Sequence, residues 1–227
     1  MHLSYRPQLI IFDLDGTLAD TIVDIAAAVN RTLAHFGFAQ HSTESYKLMV
    51  GEGFRILIQK ALPKEAAGDG FLIQSALDWA LKDYSVNTLV KTSLFPGVPR
   101  LLQRLTQSGF KLAVLSNKPD EMTQSMVGAL CGAIDFVAVW GNRADRPRKP
   151  DPTSALKIAA LAGARPDTCL FVGDSAIDIL TAKSAGMTAV GALYGYRSRE
   201  ELEGAGAEYL IGAPLELLRV IEGSSEG

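Results

Sequence analysis

The chain has 227 residues, is 48% hydrophobic and 21% charged, and carries a formal net charge of −3. Such a chain folds around a sizeable core and is not a disordered tail. No basic stripe marks a nucleic-acid surface, and no apolar run reaches the ~20 residues that a membrane helix needs.

Met1 to Pro7 is polar and lacks the charged start and long apolar segment of a signal peptide, so a cytoplasmic protein is expected. Leu9 to Phe12 is an apolar run of strand length. From Thr21 to about Leu94 only helical patterning follows. Ile22, Ile25, Val29, Leu33 and Phe36 share one face, ended by Gly37. Phe54, Leu57, Ile58 and Leu62 mark a second helix, stopped near Pro63. Leu72, Leu77, Trp79, Ala80 and Tyr84 mark a third. Phe95-Pro96-Gly97 reads as a hinge.

Beyond it, apolar runs alternate with helices. The predicted strands are Leu112–Leu115, Phe136–Val139, Cys169–Val172 and Thr188–Val190, with Tyr209–Ile211 at an edge. Val98, Leu101, Leu102 and Leu105 form a helix face ended by Gly109. Pro152 opens a helix carrying Leu156, Ala159 and Ala160. Ile177, Leu180 and Ala185 form another, ended by Gly186. Runs apolar on both faces predict a parallel α/β sheet covered on each side. The expected division is an α/β core over 1–20 and 95–227, with a helical insertion over 21–94. Gly223 to Gly227 reads as a frayed tail. Cys131 and Cys169 have neither CxxC spacing nor a histidine pair nearby, so neither structural zinc nor a disulfide scaffold is expected.

Four polar segments each fall just after a predicted strand or at the start of the following helix. Asp13 and Asp15, with Gly16 and Thr17, follow the first. Two carboxylates this close repel and stay ionised together beside a cation. Their hard oxygens suit Mg²⁺. The competing reading is an ordinary strand-ending turn. Ser116-Asn117-Lys118 offers a hydroxyl and backbone N–H groups to a phosphoryl oxygen, or simply a helix cap. Lys149, among prolines, offers an ammonium, or is a solvated lysine. Asp174 offers another oxygen ligand, while Ser175 to Asp178 also fits a capping box. A parallel sheet gathers all four segments at one edge.

Together these segments resemble the motifs of the haloacid dehalogenase (HAD) superfamily of phosphohydrolases: Asp13-Leu14-Asp15-Gly16-Thr17-Leu18, Ser116, Lys149, and Gly173-Asp174 with Asp178. The resemblance implies a Rossmann-like core and a small helical cap inserted after the first strand. Gly51-Glu52-Gly53, Phe95-Pro96-Gly97-Val98, Leu115 to Pro119, Lys149 to Pro152 and Tyr194-Gly195-Tyr196 are similar to the phosphoglycolate phosphatase subgroup.

The resemblance further implies a nucleophile, Asp13, forming an aspartyl-phosphate, and an acid–base residue, Asp15. Mg²⁺ would be held by Asp13, Asp174 and the Asp15 carbonyl oxygen, backed by Asp178. Lys149, Ser116 and Asn117 would steady the phosphoryl oxygens, with Thr17 as a further donor. Glu52, Gly53 and Arg55 are the candidate substrate-reading residues of the cap, Arg55 through a substrate carboxylate. The expected partner is a small phosphorylated molecule, and the expected assembly a monomer or homodimer. Pyrophosphatase, sugar-phosphate phosphatase and phosphomutase activities remain open alternatives, as does a non-catalytic binding protein on the same fold.

Overall fold

The computed structural model describes residues 3–222, so the predicted tail Gly223–Gly227 lies outside the described residues. The first strand, β1 (Leu9–Phe12), is fully buried. A two-residue strand, β2 (Ala19–Asp20), leads into four helices: α1 (Ile22–His35), α2 (Thr43–Lys47), α3 (Phe54–Ala61) and α4 (Gly70–Ser85). The chain returns through β3 (Ser93–Leu94), which pairs antiparallel with β2 in the register Ala19↔Leu94 and Asp20↔Ser93. Then follow α5 (Val98–Gln107), β4 (Lys111–Pro119), α6 (Asp120–Cys131), β5 (Phe136–Asn142), α7 (Thr153–Leu161), β6 (Cys169–Gly173), α8 (Ala176–Ser184), β7 (Thr188–Ala192), α9 (Arg199–Ala205), β8 (Tyr209–Ile211) and α10 (Glu216–Glu222).

Six parallel strands form the sheet in the order β5-β4-β1-β6-β7-β8. Side chains alternate along each strand. Ile10, Phe12, Leu112, Val114, Leu170 and Val172 enter the cluster on one face. Leu9, Ile11, Ala113, Leu115, Cys169 and Phe171 enter the other, against α7, α8 and Leu202 of α9. The first cluster continues without a break into the four-helix insertion through Ile25, Val29, Leu57, Ile58, Ile73 and Tyr84. None of the described helices is long and apolar enough to cross a membrane.

Two helix faces differ from expectation. Leu180 is 43% exposed, because α8 buries Asp178, Ile179, Thr181 and Ala182 instead. The phase of that helix follows its carboxylate, which faces the site. In α7, Leu156 and Ala160 point outward while Ala155, Ile158 and Ala159 are buried.

Candidate active site

β1 lies between β4 and β6, and Phe12 is level with both Val114 and Val172. The chain moves outward on one side of β1 and returns on the other, which opens a crevice at the strands' carboxyl ends. Asp13 therefore emerges at the centre, with Ser116 beyond β4's matched residues and Asp174 beyond β6's.

Asp13 is buried, and its Oδ1 accepts from Leu14 N at 2.7 Å. Lys149 Nζ stands 2.8 Å from Asp13 Oδ1 and 2.6 Å from Asp178 Oδ1. Burial, with the charges of Asp178 and Asp15, pushes the Asp13 carboxyl up to about 7 against the pull of Lys149. Burial alone would lower Lys149, but the two carboxylates lift it above the usual lysine range. Asp178 Oδ2 also accepts from Ser175 N at 3.1 Å and Ser175 Oγ at 2.7 Å. The capping and site readings of Asp178 thus hold together, one carboxylate oxygen serving each.

Asp174 is 3% exposed and accepts from Tyr196 N at 2.8 Å and Thr17 Oγ1 at 3.4 Å. Burial and its acidic neighbours push its carboxyl well above the ordinary range. Carboxylate oxygens of Asp13, Asp174 and Asp178 lie within 4.8 Å of one another. Lys149 is the cation paired with two of them, and Asp174 has no ion pair recorded among the described residues. A crowded, buried set of hard oxygen donors short of positive charge fits a divalent cation such as Mg²⁺. Gly16 makes the crowding possible: its φ is +85°, and a Cβ there would collide with the Asp174 carboxylate.

The Asp15 carboxylate stands apart from that cluster. Its Oδ1 accepts from Lys118 Nζ and from Thr21 Oγ1, each at 2.7 Å. The Lys118 side chain is fully buried, 4.8 Å from the centre of the Tyr84 ring of α4. Lys118 was expected near the site only as part of Ser116-Asn117-Lys118, with no role for its side chain, and Thr21 was not expected there at all.

Beside this cluster is a small cleft. Asp13, Asp15, Ser116 and Lys118 line it from the sheet side, and Val50, Gly53, Phe54 and Leu57 from the insertion. A model of haloacid dehalogenase-like hydrolases matches residues 10–192, which include every one of the sheet-side residues. The chain belongs to that family. It is 34% identical over 193 residues to phosphoglycolate phosphatase 1 of Pseudomonas aeruginosa, covering 84% of this chain and 71% of that one. It is 35% identical over 223 residues to a phosphoglycolate phosphatase of Mannheimia succiniciproducens, covering 94% and 98%. A solved structure from Haemophilus somnus, described as a predicted phosphoglycolate phosphatase, superposes with a TM-score of 0.87 at 28% identity, covering 96% and 99%.

In this HAD-like hydrolase the remaining predicted residues are placed unevenly. Ser116 is buried at the cleft, its Oγ accepting from Lys118 N at 3.3 Å. Asn117 lines the cleft, but its amide is already engaged: Nδ2 donates to Gly51 O at 2.9 Å and Lys149 O at 3.1 Å, and Oδ1 accepts from Lys149 N at 3.0 Å. Thr17 is wholly buried behind Asp174. Gly53 reaches the cleft, whereas the Glu52 carboxylate pairs with Lys60 at 2.5 Å. Arg55 is exposed, does not line the cleft, and donates to Gln74 Oε1 at 2.7 Å.

Proposed function

We propose that this phosphatase hydrolyses a small phosphate monoester, foremost 2-phosphoglycolate, through a phosphorylated Asp13. The observation that carries the reading is the buried Asp13–Lys149–Asp178–Asp174 constellation, whose Asp13 lines a small cleft shared with the helical insertion. The names of the curated relatives point to the substrate.

Asp13 Oδ attacks phosphorus as the bond to the substrate's alkoxide oxygen breaks. Asp15, oriented by Lys118 and Thr21 beside the cleft, gives that oxygen a proton. In the second half Asp15 takes a proton from water, the water oxygen attacks phosphorus, and Asp13 is restored as phosphate leaves. Lys149 holds Asp13 in place and presents positive charge to the transferring group, while Ser116 offers its hydroxyl. Asp13, Asp174 and the Asp15 carbonyl would hold Mg²⁺, with Asp178 beside them. When bound, the ion supplies charge that offsets the carboxylates and polarises the phosphoryl oxygens. The insertion, residues 21–94, acts as a cap that excludes water and limits substrate size.

The test is a kinetic screen with Mg²⁺ across 2-phosphoglycolate, pyrophosphate, nucleotides and sugar phosphates. The highest kcat/KM is expected for 2-phosphoglycolate. A tenfold preference for a nucleotide or sugar phosphate would overturn the substrate assignment.

A further inference from the structure

The Gly51-Glu52-Gly53 turn acts through its backbone more than through its side chains. Gly51 and Gly53 have φ values of +113° and +89°. Around them, three consecutive carbonyls point away from the insertion and meet three side chains of the α/β core. Arg197 Nη2 donates to Val50 O at 2.8 Å, Asn117 Nδ2 to Gly51 O at 2.9 Å, and Arg148 Nη1 to Glu52 O at 2.9 Å. These donors come from three separate places: past β7, within β4, and between β5 and α7. The approach is close, since a Cβ on Gly53 would sit 3.2 Å from Asn117 O and 3.5 Å from Arg148 Nη1.

Each donor is itself anchored near the reacting groups. Asn117 also holds both the N–H and the carbonyl of Lys149. Arg197 follows Tyr196, whose N–H donates to Asp174 and whose hydroxyl accepts from Thr21 N and Ile22 N at the start of α1. The Arg197 side chain is 12% exposed, with Glu201 Oε1 3.9 Å away. Val50 and Gly51, in turn, line the cleft over Asp13.

We propose that Arg197, Asn117 and Arg148 form a carbonyl clamp that holds the Val50–Glu52 loop down over Asp13, which makes Arg148 and Arg197 positioning residues. Two of the three bonds have guanidinium donors and are stronger than neutral ones. The clamp reads no side chain, so it sets how tightly the cleft closes independently of which residues line it. Its kinetic consequence rests on the phosphatase reading above; its structural consequence does not.

The experiment compares wild type with Arg148→Met, Arg197→Met and the double variant, with melting temperatures as the folding control. Lys118 is the reporter of closure, because it lines the same cleft as Val50 and Gly51 while its side chain is fully buried. Its acetylation rate, read by mass spectrometry on the native protein, should rise about tenfold in the double variant and less in each single one. Lysine at either position keeps one donor and should restore part of the protection. The ratio of kcat/KM on 2-phosphoglycolate to that on p-nitrophenyl phosphate should fall in step, whereas mere loss of stability lowers both alike. A double variant with wild-type Lys118 protection overturns the clamp. Arg148 is exposed, so its single variant keeps the test decisive if the double variant does not fold. A wild type that ignores 2-phosphoglycolate while Lys118 still becomes reactive in the variants overturns the substrate assignment and leaves the clamp standing.

Discussion

Asp13 must be an anion to attack phosphorus, yet burial lifts its carboxyl from the ordinary carboxylate range to about 7. The conflict has a measurable sign. Between the ordinary aspartate value of about 3.9 and 7 the unfolded chain has released the proton and the folded chain still holds it. Stability of the metal-free protein is therefore highest below the unfolded value and falls as pH rises toward 7, by up to about 1.4 kcal/mol per unit from this one group. Urea denaturation in EDTA at a series of pH values should show that fall, and Asp13→Asn should make it shallower, Asp174 supplying the remainder. The same variant should lose p-nitrophenyl phosphate hydrolysis by about a thousandfold or more while remaining folded. Equal slopes in wild type and variant would show that Asp13 is not the group titrating. The reactive carboxylates were legible in the sequence because Asp13 and Asp174 each follow an apolar run of strand length. Lys118 was not, because its partner Asp15 lies 103 residues away. Asn117 was legible as a site residue, but only the fold reveals that its amide is spent on backbone. Arg55 could not be judged at all without knowing that α3 turns it toward Gln74.

At the scale of elements, apolar runs announced the strands because a sheet covered on both faces has no polar side to break them. The runs understated β4 and β5, which extend to Pro119 and Asn142 past an irregularity: Leu115 pairs with Trp140 and Pro119 with Asn142, and Ser116 to Lys118 have no partner in that register. The two-residue strands β2 and β3 left no trace, since two residues carry no periodicity. They owe part of their placement to one buried carboxylate. Asp24, in the first turn of α1, accepts from Lys91 N at 2.9 Å and from Thr92 N and Thr92 Oγ1 at 2.8 Å each, pinning the segment just before β3. Asp24→Ala leaves those donors without a partner and should destabilise the protein by about 2–3 kcal/mol, read as a lower urea midpoint at pH 7. An unchanged midpoint would mean that the Lys91–Thr92 segment finds other acceptors. Leu180 makes the complementary point. Hydrophobic spacing put it inward, but α8 turns so that Asp178 meets Lys149, and the leucine is left outside.

For the whole molecule, the sheet order gathers residues from opposite ends of the sequence around one acidic centre that is short of positive charge. Mg²⁺ should therefore stabilise the folded protein by mass action, by about 2.7 kcal/mol at a hundredfold excess over its Kd. Differential scanning calorimetry should show a rising Tm with added MgCl2 in the wild type and little rise in Asp174→Asn. EDTA should remove activity in parallel. No Tm response in the wild type would argue against a cation at the three carboxylates. The layered α/β architecture was legible from the alternation of runs, but the continuity of the hydrophobic cluster from the sheet into the insertion was not, because it joins residues far apart in sequence. The antiparallel pairing of β2 with β3 has a wider meaning. Because the chain leaves and re-enters the core through two hydrogen-bonded neighbours, the ends of the insert are fixed one strand spacing apart whatever lies between them. Helices that keep the buried face shared with β1 can change elsewhere in length and sequence while the aspartate after that strand keeps its place. Descent can therefore retune which molecule is admitted while leaving untouched the machinery that cleaves it.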